Sequence, residues 1–107
     1  MKRSELLGAA EYAVNGSRDE QYGTPEDNFL TIARFWSAYL QKDVSEIDVA
    51  NMMILMKLAR IKRNPAHVDS WVDIAGYAAC GGEIGTRNDN PAAVQWMTND
   101  VFVGVEE

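Results

Sequence analysis

The chain has 107 residues, of which 47% are hydrophobic and 24% charged, and its formal net charge at pH 7 is −6. This length predicts a single domain with a modest core, a size class that often gains stability by forming oligomers. The acidic balance argues against a nonspecific binder of nucleic acid or of a membrane surface, because phosphate groups attract basic faces. A small anionic ligand or a metal ion stays possible, since either needs only a local cluster of side chains.

The single cysteine, Cys80, excludes an intramolecular disulfide and fits a reducing compartment. No apolar run has the length of a membrane span, and the N-terminal residues lack the apolar core of a signal peptide. We therefore expect a cytoplasmic protein with one helical domain, a core over about residues 4–84 and an irregular C-terminal extension over 85–107.

The first predicted element is an amphipathic helix over residues 4–15. Ser4 is its expected N-cap, and Glu5 lies in the first turn, where the helix dipole favours a carboxylate. A polar loop over 16–24 should follow.

A second helix is predicted over 25–41, because Thr24 is a good N-cap and Pro25 suits the first helical position. Apolar side chains recur along it with the helical period, and we expect this face to dominate the core: Phe29, Ile32, Ala33, Trp36, Tyr39 and Leu40.

Residues 48–77 are the stretch around which the domain should be organised, as two helices joined at Asn64-Pro65. Pro65 lacks an N–H and disfavours helical backbone at the residue before it, so the first of these helices should end near Arg63. Apolar side chains cover every side of this helix, which predicts that it is buried in the middle of the domain.

The fourth helix is predicted from about Ala66 to Cys80, with Gly76 at a close helix contact and Gly81-Gly82 as its end. Its expected core face is formed by Val68, Trp71, Val72, Ala75 and Ala79. Beyond it, the sequence predicts a short helix over 91–97 and a strand-like tail over 101–105.

Asp69 and Asp73 are the best candidates for metal ligands, since two carboxylates one helical turn apart can share a hard cation such as Mg²⁺. A third carboxylate would have to come from Glu26, Asp27 or Asp48. Asp48 also has a local interpretation, as the acid of an S-x-x-D capping pattern that begins at Ser45.

The predicted metal pair has a structural alternative. In it, Asp69 caps the start of its helix and Asp73 forms an ion pair with Lys57 or Arg60, because a buried cation needs a partner. Lys57 and Arg60 are otherwise candidates for binding phosphate groups.

Arg18 and Tyr22, in the polar loop, are further candidates for contacts with a ligand, with Tyr22 suited to stacking on a base. For Arg18 the commoner case is a solvated side chain. His67 is either a ligand or general base, or a residue at a helix start that makes local hydrogen bonds.

The pattern of these residues resembles a family of small phage-encoded helical proteins of unassigned function, which is in turn similar to the MazG-like, all-α nucleoside triphosphate pyrophosphohydrolases. The resemblance covers roughly residues 4–84. It is carried by Arg18, Tyr22-Gly23, Phe29, Ile32-Ala33, Trp36, Tyr39-Leu40, Asp48-Val49-Ala50, Met52-Met53, Lys57, Ala59-Arg60, Pro65 and the run from Asp69 to Ala78.

The MazG-like resemblance implies a four-helix bundle in an obligate dimer or higher oligomer. It also implies Mg²⁺ held by carboxylates on two neighbouring helices, and hydrolysis of a nucleotide between its α and β phosphates. In those enzymes the last core helix carries an E-x-x-D motif followed by an apolar run that contains Tyr, and here Asp69, Asp73 and Tyr77 look like a variant of it, with the acids at spacing i, i+4. Their second motif, E-E-x-x-E, is absent, and Glu26-Asp27 is the nearest substitute.

Three hypotheses follow from the sequence. The first is a Mg²⁺-dependent nucleotide pyrophosphohydrolase, the second a noncatalytic binder of a nucleotide or of a host protein, and the third a helical oligomer in which the charged side chains form a structural network.

Overall fold

The computed structural model describes residues 1–16 and 24–87, with the backbone alone for Pro25 and Glu26. Over these residues the chain forms no strand and four α-helices, which confirms the predicted all-α class: α1 (Arg3–Asn15), α2 (Pro25–Leu40), α3 (Glu46–Arg63) and α4 (Val68–Gly85). The elements predicted over 91–97 and 101–105 lie outside the described residues. None of the described helices is long and apolar enough to cross a membrane.

Local signals fix the start of α2 and both ends of α3, as predicted. Thr24 Oγ1 accepts a hydrogen bond from the Asp27 N–H at 3.2 Å. Ser45 Oγ accepts from the Asp48 N–H, and Asp48 Oδ2 accepts in return from the Ser45 N–H, both at 3.0 Å. This reciprocal pair satisfies two N–H groups that would otherwise lack a partner. At its other end α3 stops at Arg63.

The prediction of Ser4 as the N-cap of α1 is wrong. The helix begins at Arg3, and Lys2 occupies the capping position. The Lys2 N–H donates to Glu5 Oε1 at 3.2 Å. The carboxylate of the first turn thus satisfies an N–H group at the start of the helix.

The predicted boundaries of the last helix are also wrong, because α4 begins at Val68 and continues to Gly85. Gly81-Gly82 lies within the helix. A Cβ atom at Gly81 would stand 2.8 Å from the Cβ of Ala50, so glycine is needed there to let α3 approach. The extra turn buries Ile84, which is 4% exposed.

The core lies where α2 and α4 pack against α3, and α1 covers α4. Its buried side chains include one aromatic ring, and the others are small or aliphatic: Phe29, Ala33, Val49, Ala50, Cys80 and Ile84. The Phe29 ring also lies beside that of Tyr77, with 6.2 Å between centroids. Gly76 packs closely on α1, as predicted, since a Cβ there would meet Val14 Cγ1 at 3.1 Å.

Several side chains predicted to be buried are exposed. On α2 the predicted core face extends beyond the core, so Tyr39 is 88% exposed and Leu40 51%. On α4, Val68, Trp71 and Ala79 are exposed. The prediction that α3 is buried all round is wrong as well, because within the described residues its neighbours cover one side only. Its outer side leaves large apolar side chains exposed: Met52, Leu55, Met56 and Leu58.

The two neighbouring glycines of α4 give a matched pair of variants. We expect Gly82→Ala to raise the free energy of unfolding by up to about 1 kcal/mol, because alanine favours helix and nothing lies within 4 Å of the new Cβ. We expect Gly81→Ala to lower it by about 1–2 kcal/mol, because the clash with Ala50 outweighs that gain. Urea unfolding followed by circular dichroism, at equal protein concentrations, measures both. Equal stabilisation by the two variants would contradict the close contact.

Candidate functional site at the turn between α3 and α4

The candidate residues lie on the hairpin formed by α3 and α4, which run antiparallel. Ala50 of α3 lies opposite Gly81 of α4. Further along, Lys57 lies opposite Asp73. The hairpin therefore has a turn end, at residues 64–67, and an open end, where α3 begins and α4 finishes.

Lys57 and Asp73 form an ion pair inside the hairpin. The Lys57 Nζ lies 2.8 Å from Asp73 Oδ2, and the two side chains are 11% and 38% exposed. A lysine so little exposed loses most of its hydration, and the carboxylate partner offsets the cost of burying its charge. The ion-pair interpretation of Asp73 is therefore confirmed, with Lys57 as the partner.

The other predicted metal ligands do not join Asp73. Asp69 lies exposed in the first turn of α4. Asp48 accepts the Ser45 N–H at the open end of the hairpin, about 20 Å from Asp69 at 1.5 Å of rise per residue. The Glu26 side chain is outside the described part of the chain. Among the described residues, no three His, Cys, Asp or Glu side chains are grouped so that they could hold a metal ion.

These positions do not make a Mg²⁺ site within the described residues, because a hard cation held by protein oxygens needs several carboxylates at one point. Mg²⁺ binding therefore stays a prediction from the sequence. The predicted ligand contacts of Arg18 and Tyr22 also stay predictions, since both residues lie outside the described ranges.

At the turn end, four polar side chains line one surface concavity of about 440 Å³: Arg60, Arg63, Asn64 and His67. Arg60 was a candidate from the sequence. The sequence analysis missed Arg63 and Asn64. A signal for Arg63 is present in the sequence, since Arg60 and Arg63 are three apart in the last turn of a helix. We call this set the turn concavity.

Hydrogen bonds hold the turn in one conformation. The indole Nε1 of Trp71 donates to the carbonyl oxygen of Pro65 at 2.8 Å. His67 Nδ1 and Ser70 Oγ share a hydrogen bond of 2.7 Å, and Ser70 is fully buried. The local interpretation of His67 is therefore confirmed, and its ring is fixed at the start of α4.

Comparison with known proteins places the chain among phage proteins. A family described as a domain of unknown function, DUF6378, matches residues 5–85. The chain is 45% identical over 93 residues to the Gene 55 protein of Mycobacterium phage D29, which covers 87% of this chain and 62% of that protein. It is 46% identical over 74 residues to the Gene 55 protein of Mycobacterium phage L5, covering 68% of this chain and 47% of the relative.

The chain thus spans less than two thirds of the length of these relatives. No solved structure matches it. The predicted resemblance to a phage-encoded family of unassigned function is confirmed, and the more distant resemblance to the MazG-like enzymes stays a prediction.

The ion pair predicts an asymmetry between the two aspartates of α4. We expect Asp73→Asn to lower the free energy of unfolding by about 1–3 kcal/mol, because it leaves Lys57 buried and charged without a carboxylate. The matched control Asp69→Asn alters an exposed carboxylate and should change stability by less than about 0.5 kcal/mol. Thermal unfolding without added metal measures both, and equal effects from the two variants would contradict the structural role of Asp73.

Proposed function

We propose that this chain, which belongs to the DUF6378 family, binds a phosphate-bearing small molecule of the nucleotide class in the turn concavity and does not hydrolyse it. The observation that carries the proposal is one surface concavity lined by two arginines, an asparagine and a histidine. Its volume of about 440 Å³ is in the range of small-molecule sites.

The two arginines supply the charge. Arg60 and Arg63 lie one turn apart on α3, and within the described residues neither has a carboxylate at ion-pair distance. Arginine presents a planar fork of N–H donors that matches two phosphate oxygens at once. Two such forks side by side in a protein of net charge −6 create a local field that favours a small polyanion.

The start of α4 adds donors to the same corner. Its capping residue, His67, makes no side-chain hydrogen bond to the backbone of the first turn. The N–H groups at the start of a helix point outward and carry the positive end of the helix dipole, which favours an anion. Asp69, in that first turn, opposes this effect with its own negative charge.

Hydrolysis by a Mg²⁺-dependent, MazG-like reaction is the alternative that the sequence resemblance implies. The spacing of Asp69 and Asp73 favours it. The ion pair of Asp73 with Lys57 and the capping role of Asp48 favour binding instead, because each commits a carboxylate to a structural partner.

Arginine substitutions test the location of the site. Calorimetric titration with ATP, in the absence of Mg²⁺, should show binding that weakens about tenfold or more in Arg60→Ala and in Arg63→Ala, because each removes charge-assisted hydrogen bonds. Lys62→Ala is the matched control, since Lys62 is exposed on the same turn but does not line the concavity. Equal weakening of ATP binding by all three variants would indicate a general charge effect and would contradict a site in the turn concavity. Absence of ATP binding to the wild-type protein would refute the proposal.

Asp69→Asn separates binding from hydrolysis. If the turn concavity binds the anion alone, this variant should tighten ATP binding severalfold, because a negative charge is removed from the corner. If Asp69 holds a metal, the variant should weaken binding of Mg²⁺-ATP. A pyrophosphate-release assay run in parallel should show no turnover, and release that depends on Mg²⁺ and is lost in Asp73→Ala would replace our proposal with the enzyme hypothesis.

A further inference from the structure

The outer side of α3 carries an apolar stripe with a charged residue at each end. Met52, Leu55 and Met56 are 41%, 62% and 44% exposed, and Ala59 is exposed beside them. Their spacing is i, i+3, i+4 and i+7, so they share one face of the helix. Asp48 lies one turn before the stripe and Arg63 one turn after it, and both are exposed. At 100° per residue all six positions fall within about 100° of the helix circumference.

The stripe is symmetric about its own midpoint, which lies between Leu55 and Met56. Counting outward from that point in both directions, Leu55 matches Met56 and Met52 matches Ala59. The next matched positions are Asp48 and Arg63, which carry opposite charges. Two antiparallel copies of α3 related by a two-fold axis at the midpoint would bring each matched pair together.

We propose that two copies of this chain form a dimer through antiparallel packing of their α3 helices about this two-fold axis. Met52 of each copy then lies against Ala59 of the other, a large side chain against a small one. Asp48 of each copy lies against Arg63 of the other, so the pairing in this register is electrostatically complementary at both ends. An isologous contact of this kind uses the same patch twice and closes after two subunits.

A second copy fits the stripe better than an unrelated partner, because the stripe complements itself in both size and charge. The core of the single chain is also small: within the described residues, the largest side chains that are less than 2% exposed are Val49 and Ser70. Burying the exposed methionines and leucine in a dimer would extend the core across the axis.

This inference does not rest on the turn concavity. Arg63 takes part in both surfaces, and its guanidinium has five N–H donors, so a contact with a carboxylate on one edge leaves donors for a second partner. The two proposals can therefore fail independently, since sedimentation measures the mass of the dimer and calorimetry measures binding of the ligand.

Sedimentation equilibrium of the full chain tests the interface. We expect the wild-type protein to be a dimer and Leu55→Lys to weaken dimerisation at least about a hundredfold, since a charge would be buried at the axis. The matched control is Tyr12→Lys, on α1, which also replaces an exposed large hydrophobic side chain by lysine and should leave the dimer intact. Circular dichroism checks that both variants stay helical. A wild-type monomer, or equal effects from the two variants, would overturn the proposal.

Disulfide cross-linking tests the antiparallel register. The double variant Met52→Cys with Ala59→Cys should form covalent dimers under mild oxidation, because position 52 of one copy faces position 59 of the other. The single variant Met52→Cys should not, as its two cysteines would lie on opposite sides of the axis; native Cys80 is buried and serves as the common background. Efficient cross-linking of the single variant would indicate a parallel pairing and overturn the register.

Discussion

Burial of the Lys57 side chain between α3 and α4 is the constraint on which the arrangement of the hairpin depends. A lysine side chain that is only 11% exposed needs a carboxylate partner, and Asp73 supplies one at 2.8 Å. Because the pair links the two helices, it fixes their relative position along the hairpin axis. The close contact of Gly81 with Ala50 fixes the separation of the helices two turns further along.

The same constraint distributes the remaining charges. Asp73 neutralises Lys57 inside the hairpin. Arg60, one turn beyond Lys57, is exposed at the surface, as is Arg63. A structural ion pair and a cationic surface thus follow each other along one helix. This arrangement would allow a protein with net charge −6 to present the local anion site that we propose.

The parts of the fold that depend on local chemistry could be predicted from the sequence. The starts of α2 and α3 are fixed by hydrogen bonds between residues three apart in the sequence: Thr24 with Asp27, and Ser45 with Asp48. Such short-range patterns identify helix starts directly. Gly81-Gly82 could not be interpreted in this way. Glycine often ends a helix, but here Gly81 lies within α4 and allows the close approach of α3, which is a tertiary contact that no local pattern contains.

The candidate site shows the same division. The sequence indicated that Lys57 and Arg60 need partners and that Asp69 and Asp73 are the nearest acids. It could not choose which acid pairs with which cation, because that depends on how the two helices lie against each other. It also missed Arg63 and Asn64, which become part of the site only through the geometry of the turn.

The exposed side of α3 is the clearest departure from the sequence-based prediction. Apolar residues all round a helix normally indicate burial, yet within the described residues α2 and α4 cover only part of it. In the dimer that we propose, a second copy of α3 would cover the outer stripe. The apolar pattern of the sequence would then describe the assembled protein and not the single chain.

The most direct test of a ligand site at the hairpin turn is a two-dimensional ¹H–¹⁵N spectrum of the protein titrated with ATP in the absence of metal ions. Binding in the turn concavity predicts saturable shifts of the backbone signals of Arg60, Arg63, Asn64 and His67, with little change near Glu5 in the first turn of α1, which does not line the concavity. Shifts confined to other parts of the chain, or no shifts at all, would contradict it.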